Sequence, residues 1–325
     1  MKNLLYLFTI LLFFSGCKPN RSESDIAMSD TVTLENEKPQ NLKDALKGKF
    51  LMGAALNTRQ IEGFNPAEME VVKTHFNSIV AENCMKSGRL VPRRDNYNFE
   101  TADKFVQFGE DQNMVIHGHT LVWHSQTPRW FFKDDAGNEI DREELTKRIK
   151  SHINTVVGRY KGRIKTWDVV NEAVLDDGSL RKSKFYNLLG EDFIKIAFET
   201  AHEADPNAEL YYNDYSTSIP EKREGIVRMI KKLQAQGVPI HGVGMQGHVG
   251  MDYPELEEFE KTIEAFAALG LKVAVTEFDI TVLPSPWENQ GAEISANFEY
   301  KEEMNPYPDK LPDSVNVAFN KRCLD

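Results

Sequence analysis

Short apolar runs alternate along this chain with longer stretches in which apolar residues recur every three or four positions. The runs have the length of β-strands, and their nearly continuous hydrophobicity is typical of parallel strands buried on both faces. Seven runs are predicted as strands: Phe50–Leu56, Ser78–Glu82, Val115–Trp123, Thr166–Asn171, Glu209–Tyr212, Gly242–His248 and Lys272–Phe278. The stretches with helical periodicity include Glu143–Arg159, Gly190–Glu203, Lys222–Gln236 and Glu255–Leu269. This alternation predicts an α/β fold, with a parallel sheet and helices outside it.

A (β/α)8 TIM barrel fits this pattern better than a doubly wound sheet. A doubly wound sheet carries a glycine-rich phosphate loop after an early strand, but Asn57-Thr58-Arg59-Gln60 follows the first strand here. In a barrel, the C-terminal ends of all strands converge on one cleft. Polar and aromatic residues stand at or beyond the predicted strand ends: Glu82, Asn83, His117, His119, Trp123, His124, Asn171, Glu172, Asn213, Asp214, Tyr215, Gln246, His248, Glu277 and Asp279.

The eighth strand of such a barrel is not evident. Beyond Ile280 the sequence continues with a proline-rich loop from Pro284 to about Pro312, and then with a short helical piece that begins near Asp313. A closed barrel of this type needs eight strands. We therefore expect the eighth strand and helix to be lacking, either because the chain is truncated or because the barrel is completed in another way.

The N-terminus resembles a bacterial lipoprotein signal. The apolar run Leu4–Phe14 is shorter than the roughly 20 residues that a membrane span needs and fits the core of a signal peptide. Ser15-Gly16 then precedes Cys17, so we expect residues 1–17 to be removed or processed, with Cys17 lipidated. The alternative is an ordinary signal peptide with a chance cysteine. Either signal predicts secretion; the lipoprotein reading predicts anchoring at the cell envelope, on the outer membrane, the cell surface or in the periplasm.

Residues 18–44 are polar and lack periodicity, which predicts a flexible tether before a domain over residues 45–325. The net charge of -11 argues against binding to nucleic acid or to anionic lipid and is compatible with a neutral glycan. Outside the leader, Cys84 and Cys323 belong to no spaced Cys/His set, so neither a disulfide framework nor a zinc site is expected.

Two glutamates stand at the ends of apolar strands. Glu172 lies in WDVVNEA and Glu277 in TEFDI, and a carboxylate at such a place is costly to bury without a partner. Two carboxylates facing one cleft are what glycoside cleavage needs, because one donates a proton to the leaving oxygen and the other attacks the anomeric carbon. Position alone leaves a catalytic pair and a buried salt bridge equally open.

Five segments resemble, in the same order, the strand-end motifs of the glycoside hydrolase family 10 xylanases. They are AENCMK, GHTLVWHSQTP, WDVVNEA, GMQGH and TEFDI, and the resemblance covers the chain from about Asn41 to Leu283. It implies a monomeric enzyme without a cofactor that cleaves β-1,4 linkages inside xylan or xylo-oligosaccharides with retention of configuration. Glu172 would be the acid/base and Glu277 the nucleophile.

The resemblance also implies roles for residues around this pair. Asn171 would bind the 2-hydroxyl of the sugar being cleaved, and His248, with Asp279 behind it, would hydrogen-bond the nucleophile and keep it ionised. Trp123 would offer its ring to a sugar, with its indole N–H free for a hydroxyl. The substrate-binding residues implied are Glu82, Asn83, Lys86, His119, Trp123, Asn171, Gln246 and His248.

Three further residues of these segments are given lesser roles. His117 and His124 are expected to make structural hydrogen bonds, and the role of Tyr215 is left open. His117 and His119 alternate on one strand face, but no third ligand follows at a zinc-like spacing, so no metal site is predicted.

Two departures from the family pattern keep alternatives open. Ser87-Gly88-Arg89 replaces the usual aromatic and acidic residues after Lys86, and the tryptophan pair of the last strand is not found, since Trp287 lies in the seventh loop. One alternative is an inactive or weakly active surface protein that binds glycans. The other is activity on β-1,4-glucan or on aryl β-glycosides, because the chemistry is the same and only the sugar contacts differ.

Overall fold

A parallel sheet of seven strands forms the centre of the fold. The computed structural model describes residues 41–283 and 304–324. The strands are β1 (Gly53–Leu56), β2 (Ser78–Ala81), β3 (Val115–Trp123), β4 (Thr166–Asn171), β5 (Glu209–Asp214), β6 (Gly242–Met245), β7 (His248–Val249), β8 (Lys272–Val275) and β9 (Asp279–Ile280). The sheet order is β1-β2-β3-β4-β5-β6-β8, while β7 and β9 pair with each other. Each strand of the sheet is parallel to its neighbours, as the apolar runs predicted.

One or two helices connect each pair of successive strands in the seven-stranded sheet. They are α1 (Leu42–Ala45), α2 (Thr58–Ile61), α3 (Pro66–His75), α4 (Ser87–Leu90), α5 (Glu100–Asp111), α6 (Arg142–Arg159), α7 (Lys184–Leu189), α8 (Asp192–Ala204), α9 (Pro220–Ala235), α10 (Leu256–Ala267) and α11 (Asp313–Leu324). The four predicted helices correspond to α6, α8, α9 and α10, with ends that agree within two residues, and α11 corresponds to the helical piece predicted near Asp313.

Local sequence explains where several helices begin. The segment after the first strand forms no phosphate loop because it starts α2: Asn57 accepts a hydrogen bond from the Gln60 backbone, and the Gln60 side chain accepts one from the Asn57 backbone. At α6, the side chain of Asp141 caps the first turn by accepting from the N–H of Glu144. Pro220 occupies the first turn of α9, where the N–H it lacks would have no helical partner.

The core lies between the sheet and the outer helices. Trp167 of β4 is 1% exposed, and its indole lies against the backbone of Gly118 in β3, where a Cβ would come within 2.2 Å of the ring. Phe105 of α5 and Phe198 of α8 are completely buried on the helical side. Burial of side chains of this size stabilises the fold by roughly 1.5–3 kcal/mol each.

The edges of the sheet are less covered than its centre. In the described ranges no strand joins β1 to β8, so the fold is that of a (β/α)8 barrel lacking the eighth strand, as predicted. Five of the six residues of β4 are buried, whereas none of the four residues of β8 is. Phe278, just beyond β8, is 62% exposed, and Phe50, just before β1, is 61% exposed.

The N-terminal boundary of the domain differs from the prediction. The first helix within the described residues is α1, whose residues Leu42–Ala45 overlap the end of the predicted tether 18–44. Cys17 and the predicted signal peptide lie outside the described residues, as does Trp287. None of the helices in the described ranges combines the length and apolarity that a membrane span requires.

Candidate active site

Glu172 and Glu277 lie at the ends of two strands of the central sheet. Glu172 directly follows β4, and Glu277 lies two residues beyond β8. Hydrogen bonds through two asparagine side chains connect them: Asn171 Nδ2 donates to Glu172 Oε1 at 3.3 Å, and Asn213 Nδ2 donates to Asn171 Oδ1 at 3.0 Å and to Glu277 Oε1 at 3.2 Å. The two carboxyl groups therefore share one site.

The carboxyl group of Glu172 is buried and held from two sides. Its Oε2 accepts from Trp123 Nε1 at 2.8 Å, and its Oε1 accepts from Gln246 Nε2 at 2.9 Å. Burial raises the pKa of Glu172 above its ordinary value, and the negative charges of Asp214 and Glu277 raise it further, against the effect of the two hydrogen bonds. A carboxyl group in such surroundings is suited to hold a proton until it is donated.

The surroundings of Glu277 favour the opposite state. His248 Nε2 lies 3.6 Å from Glu277 Oε2, and His248 Nδ1 lies 2.8 Å from Asp279 Oδ2. Burial raises the pKa of Glu277, but the contact with His248 and the nearby imidazoles outweigh it, so that pKa falls below its ordinary value. Burial opposes charge on His248 as well, yet the two carboxylates raise its pKa to about 9. At neutral pH the site therefore holds an ionised Glu277 beside a cationic His248.

The backbone that positions Gln246 and His248 in the site differs from the predicted strand. The predicted strand Gly242–His248 would have placed both side chains on one face, but β6 ends at Met245 and Gly247 turns the chain with a φ of +83°. Only glycine fits there, since a Cβ would also lie 2.5 Å from the Val275 side chain. The alternation argument was therefore wrong, although each side chain contacts one of the two glutamates.

The indole N–H of Trp123 is not free for a sugar hydroxyl, as had been predicted. It donates to Glu172 Oε2, and the residue is only 4% exposed. An indole has a single N–H to donate, so the prediction of a free donor was wrong. Lys86 Nζ lies 5.0 Å from the centre of the Trp123 ring. The indole N–H of Trp123 thus serves the acid/base candidate, Glu172.

Glu82, Asn83 and Lys86 form a polar cluster between β2 and α4. Lys86 Nζ donates to Asn83 Oδ1 at 3.2 Å, and Asn83 Nδ2 donates to Glu82 Oε1 at 3.1 Å. Burial lowers the pKa of Lys86, while the charges of Glu277, Glu82 and Glu172 act in the opposite direction. The structure therefore brings the three predicted binding residues together, within electrostatic reach of both central glutamates.

Asp168 is a site residue that the sequence analysis missed. Its carboxylate is completely buried, and its Oδ2 lies 2.9 Å from both His119 Nδ1 and His117 Nε2. Burial raises the pKa of Asp168, but the two histidines outweigh it and hold that pKa at about 2. The strand register pairs His119 directly with Asp168. An acidic residue inside the apolar run of WDVVNEA was the signal that could have identified it.

Asn213 was noted only as a strand-end residue, and its bridging role was missed. Its Oδ1 accepts from Thr276 Oγ1 at 2.7 Å, which leaves its Nδ2 facing Asn171 and Glu277. The backbone of Gly244 lies close to this amide, since a Cβ at Gly244 would come within 2.3 Å of Asn213 Oδ1. No motif spacing in the sequence indicates this contact between three strands.

The residues given lesser roles behave differently from one another. His117 Nδ1 and Thr166 Oγ1 share a hydrogen bond of 2.6 Å, in line with the structural role expected of His117. His124 Nδ1 has no hydrogen-bond partner among the described residues and lies 3.9 Å from Glu172 Oε2, so this nitrogen does not make the structural hydrogen bond expected of His124. Burial lowers the pKa of His124 to about 3 and keeps the ring neutral. The hydroxyl of Tyr215 accepts from Arg181 Nη2 at 2.7 Å.

Comparisons with known proteins cover most of the chain. Residues 41–317 match Glycosyl hydrolase family 10. The chain is 50% identical over 283 residues to Endo-1,4-beta-xylanase A of Xylanibacter ruminicola, which covers 87% of this chain and 77% of that enzyme. It is 46% identical over 244 residues to Endo-1,4-beta-xylanase B of Paenibacillus barcinonensis, covering 74% and 72% of the two chains. Among solved structures, a GH10 endoxylanase from a sugarcane soil metagenome matches with a TM-score of 0.82 and 50% identity, covering 86% of this chain and 82% of that one.

Proposed function

Because the chain belongs to glycosyl hydrolase family 10, we propose that it cleaves β-1,4-xylosidic linkages inside xylan, with Glu172 as acid/base and Glu277 as nucleophile. The relatives named above are endo-1,4-β-xylanases. The observation that carries the assignment of roles is the contrast between two linked glutamates: the pKa of Glu172 is raised and that of Glu277 is lowered. Pairs whose surroundings push the two pKa values apart are typical of an acid and a nucleophile in one site.

The reaction proceeds by two displacements at the anomeric carbon. Glu277 attacks that carbon while Glu172 gives its proton to the glycosidic oxygen, so that a covalent glycosyl-enzyme forms and the leaving sugar departs with the proton. Glu172, now ionised, takes a proton from water, whose oxygen attacks the same carbon and releases Glu277 as a carboxylate. Two inversions give net retention of configuration.

The neighbouring side chains support these two states. Asn213 and His248 contact Glu277, and the cationic His248 favours the ionised nucleophile. Asn171 bridges the two halves of the site, with an amide that donates without carrying charge. The remaining binding residues in this proposal are Glu82, Asn83, Lys86, His119, Trp123, Gln246 and, behind the nucleophile, Asp279.

Release of reducing sugars from xylan by the full chain tests the activity. We expect release by the wild type and a loss of at least about 10³-fold in Glu277→Gln, because that variant lacks the nucleophile but keeps the size of the side chain. Parallel assays on a β-1,4-glucan and on an aryl β-glucoside distinguish the competing specificity. Xylan binding without release by the wild type would favour a glycan-binding protein instead.

We further propose that residues 1–17 are a lipoprotein signal, that Cys17 is acylated, and that residues from 18 up to the start of α1 form a tether. This proposal rests on the short apolar run Leu4–Phe14 before Ser15-Gly16-Cys17. Labelling with a radioactive fatty acid in a bacterial host should mark the wild type but not Cys17→Ala. Equal labelling of the two, or none of either, would contradict it.

A further inference from the structure

Three completely buried side chains lie behind the acid/base. Tyr212 and Asp214 lie on β5, and Lys222 lies on α9. Lys222 Nζ is 3.1 Å from Asp214 Oδ1, and the Tyr212 hydroxyl donates to Asp214 Oδ2. Replacing such a buried ion pair by apolar residues is often neutral or stabilising. Stability alone therefore does not explain its presence beside Glu172.

Hydrogen bonds fix the Tyr212 hydroxyl and the Asp214 carboxyl group in place. The Tyr212 hydroxyl accepts from the backbone N–H of Ala173 at 3.0 Å and of Val174 at 3.1 Å, while it donates to Asp214. One donor and two lone pairs are all that a hydroxyl has. Asp214 also accepts from the backbone N–H of Tyr215 at 2.9 Å and of Val174 at 3.4 Å. Burial raises the pKa of Asp214, but the Lys222 ammonium and these hydrogen bonds act in the opposite direction. Each of these contacts in the described residues supplies a donor to Asp214, so the group is held as a carboxylate.

The backbone that this unit holds is that of the acid/base. Glu172 has a φ of +58°, in the left-handed region that a glutamate rarely adopts. Its N–H donates to the Asn213 carbonyl at 2.9 Å, and its own carbonyl accepts from Arg181 Nε at 3.0 Å. The next two N–H groups along the chain are those held by Tyr212. Peptide groups on both sides of Glu172 are thus fixed by side chains or backbone of neighbouring segments.

We propose that Tyr212, Asp214 and Lys222 position the acid/base: Tyr212 holds the two peptide groups after Glu172, Asp214 orients the Tyr212 hydroxyl, and Lys222 holds Asp214. This inference rests on the role of Glu172 proposed above. The three are positioning residues, since all are completely buried and act through the backbone. Asp214 has a second effect through its charge, which contributes to the raised pKa of Glu172.

The test compares leaving groups in the full chain. Tyr212→Phe and Asp214→Asn are assayed beside Glu172→Ala on two aryl β-xylobiosides, one releasing phenol and one releasing dinitrophenol. Only phenol needs a proton from the acid as it leaves. The matched control is Tyr160→Phe, because Tyr160 is also completely buried and its hydroxyl also donates to an aspartate, Asp103, at 2.9 Å, at the far end of α6.

Both positioning variants should behave as weaker versions of Glu172→Ala. We expect kcat on the phenyl substrate to fall by about 10- to 100-fold, a part of the 10²–10⁴ that general acid catalysis supplies. Formation of the glycosyl-enzyme from the dinitrophenyl substrate should fall by less than about threefold. Any loss of rate in Tyr160→Phe should be the same on both substrates. Equal losses on both substrates in the positioning variants would overturn the inference.

The pH profile separates the two effects of Asp214. Asp214→Asn removes a negative charge, so the pKa of Glu172 should fall and the alkaline limb of the profile should move to lower pH. Tyr212→Phe keeps that charge and should move the limb less. The other charged or titratable groups around Glu172 stay in place: Glu277, Lys86, His124, Arg181 and Lys222. An unmoved limb in Asp214→Asn would contradict the electrostatic part.

Failure of this inference is distinguishable from failure of the proposed function. If Glu172→Ala loses rate equally on both substrates, the role of Glu172 is wrong and both proposals fall. If Glu172→Ala loses more on the phenyl substrate and the two positioning variants do not, only the inference falls. Titration of Glu172 by carbon NMR in the wild type and in Asp214→Asn needs no activity, and a lower pKa in the variant would support the inference independently.

Discussion

Glu172 and Glu277 are the same residue type in two different environments. Burial and the charges of Asp214 and Glu277 favour the protonated form of Glu172, whereas the contact with His248 favours the ionised form of Glu277. The sequence motifs predicted which residues gather at the site, because each stands at the end of a strand. They did not predict the hydrogen bond from Trp123 to Glu172 or the hydrogen bonds of Asn213 to Asn171 and Glu277. Such contacts depend on side-chain directions on neighbouring strands.

These opposite shifts predict a bell-shaped pH dependence of kcat/KM on an aryl β-xylobioside. The acid limb reports ionisation of Glu277 and should lie below its ordinary pKa of 4.5, since that pKa is lowered. The alkaline limb reports loss of the proton from Glu172 and should lie above 4.5, since that pKa is raised. An alkaline limb that persists unchanged in Glu172→Ala would show that another group produces it.

His248 should titrate with a pKa of about 9 in place of the ordinary 6.5, because the carboxylates of Glu277 and Asp279 lie beside its ring. A raised histidine pKa stabilises the fold fully below pH 6.5, and this contribution is lost as the pH rises through about 9. Asp279→Asn should lower the pKa, because one of the two carboxylates is removed. Nitrogen NMR of the imidazole measures both values, and the control Asp177→Asn, at an exposed turn, should leave the titration unchanged.

At the scale of elements, the central strands follow the sequence pattern more closely than the outer ones. β3 and β4 have the predicted bounds, because apolar residues buried on both faces leave little ambiguity. The two edge strands of the sheet, β1 and β8, are shorter than predicted. Phe50 and Phe278 continue the hydrophobic runs in the sequence but lie exposed outside these strands. The break after Met245 could not be predicted from hydrophobicity, because it depends on the backbone turn at Gly247.

Close packing between β3 and β4 predicts a strong effect of Gly118→Ala. The new Cβ would lie 2.2 Å from Trp167, and overpacking of this kind typically costs about 1–3 kcal/mol of unfolding free energy. Gly158→Ala in α6 is the matched control, because a Cβ there meets nothing within 4 Å and alanine favours helix by up to about 1 kcal/mol. Chemical denaturation of both variants measures the difference. Equal stabilities would contradict the close packing.

At the scale of the whole molecule, the described sheet has a well-covered centre and two open edges. β1 and β8 each have one strand neighbour in the described ranges, and apolar side chains near both remain exposed. The nucleophile lies just beyond β8, whereas the acid/base follows the buried strand β4. The fold class, and the absence of an eighth strand from the sheet in the described residues, were predictable from the count of apolar runs, because each of the seven runs supplies one strand of the central sheet.

Hydrogen exchange should therefore differ between the centre and the edge. Amides of β3, β4 and β5 have strand partners on both sides and should exchange only with global unfolding, while those of β8 should exchange earlier through local opening. The intact chain is labelled in deuterated water for set times and then digested, and mass spectrometry of the peptides resolves these segments. Equal protection of β4 and β8 would mean that the edge is as stable as the core.

The central claim is that Glu277 forms the covalent bond to the sugar while Glu172 handles the proton. The most direct measurement is to treat the full chain with a 2-deoxy-2-fluoro-β-xylobioside that carries a dinitrophenyl leaving group. The fluorine slows both displacements, and the activated leaving group allows the first one to proceed, so the glycosyl-enzyme accumulates. Peptide mass spectrometry should locate the sugar on Glu277, and Glu277→Gln should remain unlabelled. A sugar attached to Glu172, or turnover of xylan with no trapped intermediate, would contradict the account.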